Sequence, residues 1–167
     1  MTMLVLADAP QLLVALEQSA LGAAIRESVW AYPVANVGHI LALMLLAGAV
    51  AIMDLRLLGA FPATPAAPVV RRARSVAALG LLLMAVTGLV LFTAEASHVA
   101  MNPVFQIKAG LIGLGILNAL LVAGPAVARM DGAGLDAAVP ARARLAAGMS
   151  LVIWTAVAAC GRLIAYF

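Results

Sequence analysis

Apolar residues in this chain neither alternate nor keep to one helical stripe. They run almost unbroken through four stretches, Val29–Met53, Ser75–Ala94, Ala109–Ala128 and Leu145–Gly161. A spanning helix needs about 20 apolar residues at a rise of about 1.5 Å each. The fourth stretch reaches that length when the stem of Arg162 carries its guanidinium to the membrane boundary. With their flanks the spans are expected near 29–57, 75–98, 104–129 and 144–166. Residues 1–28 follow a different pattern. Leu12, Leu13, Leu16, Ala20 and Ala24 fall at helical spacing, with Gln11, Glu17 and Gln18 elsewhere and Pro10 suited to a first turn. That pattern predicts an amphipathic helix on the membrane surface.

The segments between the apolar runs carry turn chemistry: "GAFPATPAAP", "MNP" and "DGAGLDAAVP". The expected fold is therefore all-α, an integral membrane four-helix up-down-up-down bundle over residues 29–167, preceded by the interfacial helix. "GLIGLG" lies inside a span with no strand before it, so it reads as close helix packing and not as a phosphate loop.

Composition places the bundle in lipid. Of 167 residues, 66% are hydrophobic and 10% charged, where soluble domains carry roughly 25% charged residues. Cys160 is the single cysteine, so no internal disulfide forms. The N-terminus has no basic n-region, and a cleaved signal peptide is not expected. The net charge of +3 does not form a nucleic-acid stripe, because its cations sit between the apolar runs. Arg56, Arg71, Arg72, Arg74, Arg129, Arg142 and Arg144 share one set of span ends, against Arg26, Lys108 and Arg162 at the other. The excess of arginine marks the cytoplasmic side of a bacterial plasma membrane and places both termini outside.

Ionisable groups at membrane depth mark candidate chemistry. His39 lies about ten residues into the first span, with Asn36 three residues earlier on the same face. Glu95 and His98 share a face at the end of the second span, and Lys108 opens the third. All five belong to the outer half of the bundle. Counted along the helices, His39 is about 22 Å from Asp54, while Glu95 and His98 are about 31 and 36 Å from Arg74. His39 thus sits deeper than His98, an offset that a large cofactor bridges more easily than a small ion. Asp54 and Arg56 read as a pair at the cytoplasmic edge, and Asn118 as a hydrogen bond between helices. No nucleophile with an adjacent base is present, so hydrolase chemistry has no support.

The run "YPVANVGHILALMLLAGAVAIMDLRLLG", followed by "NPVFQIKAGLIGLGILNALL", resembles a superfamily of small bacterial membrane proteins. It contains the copper resistance D family and the haem-dependent protoporphyrinogen oxidases. His39, Gly48, Arg56 and Lys108 occupy the positions that carry the likeness, which covers about residues 30–125. The resemblance implies haem b held by the early histidine, with the lysine also essential. The chain departs from the oxidases in carrying Glu95 and His98 before its third span and in lacking their tryptophan after the first histidine.

Three functions follow as expectations. The first is a haem b protein of electron transfer or redox sensing, with His39 and His98 as axial ligands, or His39 alone with Lys108 on a propionate. The second is a transition-metal protein of copper type, with His39, His98, Glu95 and Asn36 around the ion. The third is a cofactor-free structural subunit. Expected partners are membrane lipid, a second copy or a larger membrane complex, or a periplasmic redox or metal carrier.

Overall fold

The computed structural model describes residues 10–128 and 138–166. Residues 1–9 of the surface segment, Arg129 and most of the "DGAGLDAAVP" connection lie outside the described residues.

The surface segment forms two short helices instead of one. Helix α1 spans Gln11–Glu17 and α2 spans Ala20–Glu27. Ser19 divides them: its hydroxyl accepts the Gly22 N–H at 3.1 Å and so caps α2. The face turned inward is Gly22 and Ile25, not the expected leucine stripe, and Leu12 is 81% exposed.

The first spanning helix, α3, runs Ala31–Leu58 and stops where Gly59 takes a left-handed φ of 110°. Helix α4, Ala66–Ala94, begins nine residues before the expected Ser75, so Arg71, Arg72 and Arg74 sit within it. At 29 residues α4 is about 43 Å long. That exceeds a hydrocarbon core of about 30 Å, so its basic first turns project beyond the lipid. A six-residue helix α5, Ala96–Met101, follows after a break at Glu95. The "NP" turn then starts α6, Pro103–Leu117. Asn102 Oδ1 accepts the Val104 N–H at 2.9 Å, and Pro103 fills the first helical position. The helix widens into a π segment, Asn118–Ala123, before the short α7, Gly124–Ala128. Helix α8, Ala141–Leu163, closes the bundle.

Four of these stretches are long and apolar enough to cross a membrane, and they make the chain a multi-pass membrane protein. Their flanks turn Ile40, Met44, Leu82, Leu114, Leu121 and Val152 outward, each more than half exposed, as lipid-facing side chains are. Neighbours run antiparallel. Gly38 meets Thr87 and Gly80 meets Leu46 across α3 and α4, while Gly115 meets Trp154 across α6 and α8. Helix α3 also packs on α8. Helices α4 and α6, consecutive spans, scarcely approach each other. Their seam is bridged by stacked Phe92 and Phe105, centroids 5.6 Å apart, and by Arg74 donating to the Ala119 carbonyl at 3.4 Å. At the arginine-rich end Leu57, Val70, Val127, Ala143 and Ala147 form a tight apolar cluster.

The N-terminal helices fold over the opposite end. The Glu17 carboxylate accepts the Ser97 N–H at 2.8 Å and the Ser97 hydroxyl, which satisfies the opening turn of α5. Arg26 donates to the carbonyls of Glu17 and Ala94, at 2.7 and 2.8 Å.

Candidate functional site

Among the described residues, two groups of polar side chains inside the bundle carry candidate chemistry. The first surrounds His39, half-buried on α3 where that helix faces α4. Its Nδ1 lies 2.8 Å from Thr87 Oγ1, and the Thr87 hydroxyl lies 2.7 Å from the Leu83 carbonyl one turn earlier. A hydroxyl has one hydrogen to give. Where Thr87 gives its own to Leu83, its oxygen accepts from His39 Nδ1–H, and Nε2 then keeps a free lone pair. Gly88 makes room for the ring, since a Cβ there would stand 3.2 Å from His39 Cε1. Lys108 on α6 lies within electrostatic reach of both His39 and Cys160. Gly161 on α8 accommodates the lysine, as a Cβ at that position would stand 3.4 Å from Nζ.

The other expected ligands are placed differently. Asn36, Glu95 and His98 are exposed. Glu95 stands at the break between α4 and α5, within electrostatic reach of Tyr32. His98 belongs to α5, beyond the end of α4, whereas Thr87 marks the level of His39 seven residues before that end. Seven residues are about 10 Å of helix. The arrangement therefore offers His39 with Thr87 and Lys108, and not a pair of imidazoles closing on one atom.

The second group lies toward the arginine-rich end. Asp54 does not pair with Arg56. Residues two apart on a helix point in nearly opposite directions, and Arg56 turns to the loop, where Nε donates to the Thr64 carbonyl at 2.9 Å. Asp54 instead points inward, 1% exposed, with Ser150 as its hydrogen-bonding neighbour and Oδ2 without a partner. Asn118 is 6% exposed. Its Nδ2 donates to the Ala146 carbonyl at 2.9 Å, the interhelical bond expected of it, while Oδ1 has no partner. Both residues line a partly enclosed cavity of about 180 Å³, together with Arg74, Ser150 and Trp154.

A family of unknown function, DUF6644, has a sequence model that matches residues 17–167. The chain belongs to the DUF6644 family. The match takes in α2 and all four spanning helices, so His39, Lys108, Asp54 and Asn118 lie within the extent of the DUF6644 domain. Glu17, the residue that clasps Ser97, stands at its first position. No curated protein and no solved structure matches the chain.

Proposed function

We propose that this DUF6644 protein is a plasma-membrane haem b protein of electron transfer or redox sensing, with His39 as its one protein ligand to iron. The observation that carries the reading is the hydrogen-bond chain from His39 through Thr87 to Leu83. With Nδ1–H donating to Thr87, the imidazole would keep its Nε2 lone pair free for iron, as ligating histidines held by second-shell partners do. Lys108 supplies positive charge nearby for an anionic propionate. Haem b supplies one-electron chemistry, and the apolar sheath of the bundle adjusts its potential.

A bare transition ion has less support. Among the described residues no three His, Cys, Asp or Glu side chains gather into a metal site. A porphyrin brings four nitrogens of its own and needs only one or two from the protein. The resemblance of "YPVANVGHILALMLLAGAVAIMDLRLLG" and the following "NPVFQIKAGLIGLGILNALL" to the superfamily that includes the haem-dependent oxidases supports the same reading. With the arginine-rich end in the cytoplasm, His39 and Lys108 lie in the outer half of the membrane, accessible to a periplasmic or membrane-bound redox partner.

The dithionite-reduced absorption spectrum of protein expressed with ample haem tests the proposal. A Soret band with split α and β bands is expected in wild type, retained in His98→Ala and lost in His39→Ala. A featureless wild-type spectrum, or one unchanged by His39→Ala, overturns it.

A further inference from the structure

The cavity beside Asp54 stands apart from His39 and has its own chemistry. Its walls are chiefly apolar, including Leu46, Val50, Leu81 and Ile116. Set into them are two side-chain oxygens, Asp54 Oδ2 and Asn118 Oδ1, that are buried and lack a hydrogen-bond partner. A buried acceptor left unmet is costly, so two in one cavity call for an occupant that donates hydrogen bonds.

Size, charge and access narrow that occupant. A cavity of about 150 Å³ lodges one benzene ring, and this one holds about 180 Å³. Its walls are chiefly apolar and would leave an ion poorly solvated, so a neutral molecule suits it better than an ion. Ala77 and Leu81 of α4 face Ala119 and Leu120 of the α6 side across the open seam. Access is thus from the lipid, which selects a molecule soluble in hydrocarbon.

We propose that this cavity binds a neutral one-ring phenol or hydroquinone, whose hydroxyl donates to Asp54 while the ring fills the apolar remainder. Toluene has the shape of phenol without the donor, which makes the pair a direct probe. Thermal unfolding of the purified full chain in detergent, titrated with phenol and with toluene, reads the affinities as saturable rises in Tm. After correction for micelle partition, phenol is expected to bind at least about tenfold more tightly than toluene, because a site with unmet polar groups rejects the analogue lacking the hydroxyl. Asp54→Leu is expected to erase that ratio. Ala119→Leu narrows the cavity without touching its polar groups and is expected to weaken both ligands, so a poorly folding Asp54→Leu leaves the test intact. His39→Ala is expected to leave phenol binding unchanged, which separates this site from the haem reading. The absence of a saturable shift with phenol, as for a cavity filled by tightly held water, overturns the proposal. So does a phenol-to-toluene ratio that survives Asp54→Leu.

Discussion

Glu17 and Ser97, 80 residues apart, are joined by two hydrogen bonds from the Ser97 N–H and hydroxyl to one carboxylate oxygen. The contact fastens the N-terminal helices across the end of the bundle at which His39 and Lys108 open. It also satisfies donors that the break at Glu95 would leave exposed to lipid headgroups. Hydrogen bonds to an ionised group contribute about 1.5–3 kcal/mol where they are shielded from water.

Replacing Glu17 with Ala is expected to release the arm while sparing the spans. Amide hydrogen exchange over residues 11–28 should rise by about tenfold, with the amides of α3 and α8 unchanged. Exchange that stays at the wild-type rate in the arm counts against Glu17 as its fastening.

The backbones of α3 and α4 approach closely at Gly80, where a Cβ would stand 2.9 Å from the Leu46 backbone nitrogen. Gly80→Val therefore has to part the two helices, and overpacking of this kind costs about 1–3 kcal/mol. Gly48, with nothing within 4 Å of its would-be Cβ, is the matched control. Gly48→Ala is expected to leave thermal stability within about 0.5 kcal/mol of wild type, and Gly80→Val to lower Tm clearly in the same scan.

Asn102 accepts from the Val104 and Phe105 N–H groups at 2.9 and 3.4 Å, so it caps α6. Asn102→Ala should destabilise the chain by about 1 kcal/mol, and Asn102→Ser should restore most of the loss. Denaturant or thermal midpoints of the three proteins check this.

Thr87→Val keeps the shape of the side chain and removes the acceptor for His39 Nδ1–H. If His39 ligates haem iron, haem affinity should fall about 10- to 100-fold, as when other second-shell partners are lost. Thr87→Ser should retain it. Titration of apoprotein with hemin, followed at the Soret band, measures both. Equal affinity in Thr87→Val and wild type removes Thr87 from the site.

How much of the structure is legible in the sequence depends on the range over which each signal acts. The four spans are legible because burial in lipid leaves nearly every side chain of a span apolar. The Asn102–Pro103 start of α6 is legible because capping is local. Hydropathy sets the start of α4 nine residues late, since it reports where lipid ends and not where the helix ends. Closeness in sequence suggests Arg56 as the partner of Asp54. The two-residue spacing itself argues against that pair, since it points the two side chains to nearly opposite sides of the helix. His39 stands out as a half-buried polar residue, but Thr87, its partner 48 positions away, looks like any other small residue in a span. Contacts such as Glu17 with Ser97, and the gap between α4 and α6, belong to tertiary packing and leave no local pattern.

The π segment at Asn118–Ala123 has a consequence for the side-chain register of everything around it. A π turn is an α-helix holding one residue too many. It therefore rotates the residues beyond it by about 100° around the axis, the angle of one residue at 3.6 per turn. That single surplus residue lets Asn118 face the Ala146 carbonyl while Val127, nine positions on, still meets Leu57 and Val70 in the apolar cluster. An unbroken α-helix that kept every residue between 119 and 123 could hold only one of those two contacts, whereas deleting one residue there would remove the surplus and leave both in register. The helix is thus two phases spliced end to end, one set by the cavity and the other by the cluster that closes the bundle.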